Sequence, residues 1–156
     1  MPDRDQNANR SVRVWFRLIR LEARMQAAIG ERLREIGVSI PQCDVLTTLT
    51  EKEGVSQQEL AKRLYVTKGN ISGLIDRLAE AGLVERRSIA SDRRQRAIHL
   101  TDAGRAMAGK AIAVQRRWIA ATLGRMSEPA LEALETEVIA LRDIVREEEA
   151  SGAARG

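Results

Sequence analysis

The stretch "VSQQELAKRLYVTKGNISGLIDRLAEAGLVERRSIASDRRQRAIHLTDAGR", Val55–Arg105, changes its hydrophobic rhythm twice. Ser56 with Glu59 three residues later reads as a capping box, opening a short helix with Leu60, Ala61 and Leu64 inward. Tyr65-Val66 makes a turn. Thr67 caps a second helix running to about Ala81, where Ile71, Leu74, Ile75 and Leu78 recur at helical spacing and bury one face. Gly82 stops it. From Leu83 to Arg87 the pattern reads as a strand, Ala90-Ser91-Asp92 as a turn, and Arg96–Leu100 as the returning strand. Thr101 then caps another helix.

Working outward, Arg10 to about Ile36 reads as one long helix, with Trp15, Leu18, Leu21, Met25, Ile29, Leu33 and Ile36 at helical spacing. Gly37 ends it. Ser39-Ile40-Pro41-Gln42 opens the next helix through a capping box with proline in its first turn, and Val45, Leu46 and Leu49 form its buried stripe. Downstream, helices are expected over about 102–124 and 128–149. Residues 1–9 and 150–156 read as disordered tails. The fold class that follows is mainly α with a small two- to three-stranded β-wing.

The net charge of +4 is local. Between Ser56 and Thr101 stand nine basic residues (Lys62, Arg63, Lys68, Arg77, Arg86, Arg87, Arg93, Arg94, Arg96) against five acidic ones (Glu59, Asp76, Glu80, Glu85, Asp92). The rest of the chain is balanced, so the whole excess lies in this block. Exposed like charges repel, and a polyanion supplies the reason to concentrate them.

Several function classes are disfavoured. The single cysteine, Cys43, excludes an intrachain disulfide, and with only His99 beside it a zinc site of the usual type lacks ligands. No nucleophile motif surrounds either residue, so no enzyme, cofactor or metal is expected. No apolar run approaches the ~20 residues of a membrane span, and a cytoplasmic protein is the default.

Two short helices joined by a tight turn and followed by a charged hairpin describe a winged helix-turn-helix. Its second helix suits a major groove of double-stranded DNA, and its hairpin a neighbouring minor groove. Opposite the buried Ile71 face lie Gly69, Gly73 and Asp76, flanked by Asn70, Ser72 and Arg77. Two glycines in one helix cost roughly 1 kcal/mol each against alanine. Close packing on a neighbouring helix is one reason for them, and close approach to DNA is the other.

"TKGNISGLIDRLAEAGLVERR" and "SDRRQRAIHLTDAGR", in this order and between long helices, closely resemble the MarR family of bacterial transcriptional regulators, over roughly residues 10–149. The resemblance implies a DNA-binding region at 38–101, and a helical dimerisation region at 10–37 and 102–149. It implies a homodimer on a pseudo-palindromic operator, with a ligand pocket between the two regions. It puts Lys68, Asn70 and Ser72 on the recognition helix. Asp92 and Arg94 match the wing pair, in which the arginine enters the minor groove and the aspartate holds it. Arg93 and Arg96 add phosphate contacts, and Ser56, Gln57, Thr67, Arg77 and Arg86 complete the set expected at DNA.

Leu131, Leu134, Val138, Leu141 and Val145, spaced 3, 4, 3, 4, resemble a coiled-coil seam and are the expected dimerisation residues, although an intramolecular packing face would read the same. Arg10, Arg13, Arg17, Arg20 and Arg24 repeat at that spacing on the first helix and could pair with Glu147-Glu148-Glu149. The family often binds aromatic carboxylates or phenolic compounds. The matching expectation is a repressor released by a small organic effector, held near Trp15, Arg17, Arg20 and Cys43. The alternatives are a redox-responsive regulator, whose Cys43 thiol has its pKa lowered by a helix N-terminus, and a winged helix that binds protein without an operator.

Overall fold

The computed structural model describes residues 2–89 and 92–153, with the side chains of 2–6, 89 and 92–95 left aside. The elements follow as α1 (Pro2–Glu35), α2 (Ile40–Glu51), β1 (Val55–Ser56), α3 (Gln57–Arg63), α4 (Lys68–Glu80), β2 (Val84–Ile89), β3 (Asp92–Leu100), α5 (Asp102–Ala121), a 3-10 turn (Leu123–Arg125) and α6 (Glu128–Ala153). Two compact units divide the chain, Met1–Gln115 and Arg116–Gly156. Helix α1 starts at Pro2, eight residues ahead of the expected Arg10, so 2–9 are helical rather than a disordered tail. Proline is compatible with a helix's first turn, where its missing N–H would have had no partner. At the other end α6 runs to Ala153, four residues past the expected stop, and 154–156 lie outside the described residues.

The first unit is built on one core. Leu33 of α1, Cys43, Val45, Leu46 and Leu49 of α2, Leu60 of α3, Ile71, Ile75 and Leu78 of α4, and Ile98 and Leu100 of β3 are fully or almost fully buried. The α2 cap forms as the sequence requires: the Gln42 amide donates to Ser39 Oγ, and the Ser39 amide donates to Gln42 Oε1 at 2.9 Å. The α3 cap is only half a box. The Glu59 amide donates to Ser56 Oγ at 3.1 Å, but the Glu59 carboxylate turns away to Arg63 at 2.8 Å and Lys52 at 3.5 Å. Those cations, Arg63 first, hold its pKa below the usual carboxylate value.

Three helices end in the same hydrogen-bonded motif, in which an amide two residues past the cap reaches back one turn: Val38 to Leu33 O at 3.1 Å, Val66 to Ala61 O at 3.0 Å, and Leu83 to Leu78 O at 2.9 Å. The residue between takes a left-handed backbone. It is Gly37 (φ 86°) after α1 and Gly82 (φ 69°) after α4, but Tyr65 (φ 53°) after α3. A side chain in that conformation costs about 1–2 kcal/mol.

The sheet has the order β1-β3-β2, antiparallel throughout, with Val55 opposite Ile98 and Val84 opposite Leu100; its register shifts at Ser88/Ile89. The expected turn at Ala90-Ser91 lies outside the described residues. Thr101 fastens the end of the sheet to α5. Thr101 Oγ1 donates to Gly82 O at 2.6 Å and accepts the Gly104 amide at 2.9 Å, while the Thr101 amide donates to Leu83 O at 3.1 Å. Only glycine fits at 104: a Cβ there would lie 1.8 Å from Leu83 O. On the far side Glu53 pairs with Arg105 and lies 3.4 Å from His99 Nδ1, linking the α2–β1 loop, β3 and α5.

In the second unit no residue of α6 is buried. Leu131 is half-buried; Leu134, Val138, Leu141 and Val145 are exposed, as are Ile139 and Ile144. The front half of α1 is similar, with Val12, Val14, Trp15, Phe16, Leu18, Ile19 and Leu21 all exposed. The sequence stripe on α1 therefore splits: Leu33 enters the core, Ile29 and Ile36 pack against it, and Trp15, Leu18 and Leu21 do not. Among the described residues no helix is long and apolar enough to cross a membrane.

Candidate nucleic-acid interface

Helix α4 carries the centre of the site. Thr67 Oγ1 caps it by accepting the Asn70 amide at 3.3 Å, which sets the first turn and its free amides at the surface. Ile71, Leu74, Ile75 and Leu78 fix the opposite face in the core. Lys68, Asn70 and Arg77 are consequently exposed, and Ser72 half-buried. Lys68 and Arg77 have no ion-pair partner among the described residues, and neither has Arg96, exposed on β3.

Of the two glycines of α4, Gly69 is exposed and Gly73 half-buried. A Cβ at Gly69 would meet nothing within 4 Å, and one at Gly73 only Arg77 Nη1 at 3.6 Å. Packing on a neighbouring helix of the chain therefore does not explain them.

Arg86 and Gln57, both expected at DNA, are hydrogen-bonded to each other. Arg86 Nε donates to Gln57 Oε1 at 3.2 Å and Nη2 to Asp76 Oδ1 at 2.5 Å. The guanidinium thus ties β2 to the start of α3 and to the outer face of α4, at separations of 29 and 10 residues that no local pattern reveals. It positions the hairpin against α4 and is a brace more than a free contact. Ser56 is likewise committed to its cap. Arg87 of β2 pairs with Glu85. Asp92, Arg93 and Arg94 belong to β3 by backbone, but their side chains are outside the described ones.

The four residues expected around an effector do not gather within the chain. Cys43 is fully buried in α2, and that burial, with Asp44 beside it, pushes its thiol up to about 11. The lowering expected from a helix N-terminus is outweighed by desolvation. Trp15, Arg17 and Arg20 are exposed on α1. At 1.5 Å per residue, Trp15 stands about 27 Å along the helix from Leu33, the residue that enters the Cys43 core. Arg10, Arg13, Arg17, Arg20 and Arg24 have no ion-pair partner among the described residues. No group of three metal-ligating side chains comes together among those residues either.

A family model described as "MarR family" matches residues 36–95, which span the helix-turn-helix and most of the hairpin. Over 114 residues the chain is 32% identical to the HTH-type transcriptional repressor Mb2911 of Mycobacterium bovis, covering 73% of this chain and 82% of that one. Over 73 residues it is 41% identical to the HTH-type transcriptional regulator TtmR of Methylorubrum extorquens; this covers 47% of the chain and only 37% of TtmR, so the chain spans little over a third of that relative. Among solved structures, CouR from Rhodococcus jostii bound to p-coumaroyl-CoA superposes with a TM-score of 0.72 at 26% identity, over 82% of this chain and 90% of CouR. With its three-stranded wing, its capped recognition helix and these relatives, the chain belongs to the MarR family of DNA-binding transcriptional regulators.

Proposed function

We propose that this protein acts in the cytoplasm as a homodimeric repressor that binds a pseudo-palindromic operator and is released by a small aromatic or phenolic effector. The observation that carries the DNA geometry is the outer face of α4, where Gly69 and Gly73 meet no neighbouring element and stand beside the exposed Lys68, Asn70 and Arg77. A helix shaped this way enters a major groove closely, with Asn70 at base edges and Lys68 at phosphate. The hairpin then reaches the adjacent minor groove, with Arg94 inserted and Asp92 orienting it. Dimerisation is supported by the exposed apolar rows on α1 and α6, the kind of surface that marks an interaction site. Repression is suggested by the mycobacterial relative, and the effector class by the ligand in the CouR structure. The buried thiol of Cys43 argues against oxidant sensing.

The test is selection of duplexes from a random pool, followed by anisotropy titration of selected and random duplexes over a salt series. Lys68→Ala and Arg94→Ala are each expected to weaken binding by about 1–3 kcal/mol and lower the salt slope by about one. Asn70→Ala should instead change preference among sequences. Failure to enrich any sequence, or binding insensitive to salt, refutes the reading. Aromatic carboxylates and phenolic acyl thioesters are the effectors to titrate into the bound complex.

A further inference from the structure

Tyr65 stands where the fold asks for glycine. The same helix-ending motif occurs after α1 and after α4, and both times the left-handed residue is glycine; after α3 it is tyrosine, at φ 53°, alone among the described non-glycine residues in having a positive φ. Packing does not compensate for the strain, since the side chain is 90% exposed. Its hydroxyl makes no hydrogen bond among the described residues. Backbone strain that is held without local benefit marks side chains that serve a partner.

Its position names the partner. Tyr65 lies two residues before the Thr67 cap and three before Lys68, at the entrance to α4, with the exposed Lys62 and Lys68 on either side in sequence. This inference rests on the reading that α4 enters a major groove: the turn leading into the helix then faces the phosphate strand at the groove wall. We propose that the Tyr65 hydroxyl donates a hydrogen bond to a DNA phosphate oxygen and so sets how deeply α4 seats. Such a contact carries no sequence information. Because the donor is neutral, it displaces no counterion and leaves the salt slope unchanged, unlike a lysine contact.

Tyr65→Phe and Tyr65→Gly, with Lys68→Ala for comparison, are titrated against a selected and a random duplex over a salt series, and melted. Both Tyr65 variants are expected to fold, Tyr65→Gly melting at or above the wild-type temperature because its strain is gone. Both should bind roughly three- to tenfold more weakly on both duplexes, the scale of one hydrogen bond, with an unaltered slope. Lys68→Ala should lose about one unit of slope. Wild-type affinity in Tyr65→Phe, or a reduced slope in it, overturns the proposal alone. If the wild-type protein binds neither duplex, the DNA reading falls and takes this proposal with it.

Discussion

Gly73 and Gly104 both sit inside helices, yet replacing each with alanine is expected to move stability in opposite directions. At Gly73 the added methyl meets only the Arg77 guanidinium, at the ordinary contact distance of 3.6 Å. Nothing then opposes the helical advantage of alanine, about 1 kcal/mol. In a chain of 156 residues that raises the melting midpoint by roughly 2–4 °C. At Gly104 the methyl would sit 1.8 Å from Leu83 O and 2.9 Å from its carbonyl carbon. That carbonyl also accepts the Thr101 amide, so it cannot swing aside without giving up the bond that fastens the sheet to α5. Overpacking of this kind costs about 1–3 kcal/mol, and a backbone obstacle places it at the upper end, a fall of roughly 6–12 °C. On DNA the more stable protein should be the poorer binder: Gly73→Ala is expected to lose about tenfold in affinity, about 1.4 kcal/mol, because its methyl occupies space at the groove. Melts at one fixed protein concentration and anisotropy on a selected duplex read both effects. A Gly73→Ala protein that gains stability and binds with unchanged affinity would show that this face does not meet DNA. One that loses stability refutes the open-surface reasoning itself.

Arg86→Gln should lower stability by about 1 kcal/mol, since the brace is partly exposed, and weaken DNA binding without reducing the salt slope; a slope lower by one would make Arg86 a phosphate contact. Leu134→Glu with Leu141→Glu should give monomers or insoluble chain by sedimentation, and an unaltered wild-type monomer at micromolar concentration removes the dimer. Cys43 should react with a thiol reagent only on unfolding, and peroxide should leave DNA binding intact; release by peroxide that Cys43→Ala abolishes would restore the redox alternative. Because the folded thiol titrates near 11 and the unfolded one near 9.0, its contribution is present below pH 9 and lost as the pH rises through 11. Cys43→Ala should flatten that alkaline fall in stability, measured by denaturant titration.

What was legible in the sequence was local. The Ser39–Gln42 box, the Thr67 cap and the Ile71–Leu78 stripe depend on residues within two turns of one another, and all form. Glu59 departed because two cations compete with its own cap. The strand at Val55–Ser56 is too short for any period; it exists because β3 offers an edge opposite Ile98. The Arg86 hydrogen bond to Gln57 spans 29 residues, and composition cannot tell a hydrogen-bonded arginine from a free one. At Tyr65 the sequence shows only a turn, since the left-handed position there carries no glycine to announce it. The α1 stripe shows a second limit: spacing identifies an apolar face, but what covers Trp15, Leu18 and Leu21 is not written in the spacing.

The brace also changes how the basic block presents itself. Of its five acidic residues, Glu59, Asp76 and Glu85 are each occupied by a basic residue of the same block: Arg63, Arg86 and Arg87. Of these three only Arg86 joins separate elements, since Arg63 pairs within α3 and Arg87 within β2. Lys62, Lys68, Arg77 and Arg96 remain exposed without an ion-pair partner among the described residues. Pairing thus removes acids and bases in equal number, yet it concentrates the uncompensated cations around α4 and the outgoing strand. A duplex approaching that surface is expected to meet a field set by the free cations, while Arg86 alone ties α3, α4 and β2 together. On the proposed reading, affinity and geometry are therefore served by different cations of one block: the salt slope should count the free set, and the Arg86 brace should decide whether helix and hairpin reach their grooves together.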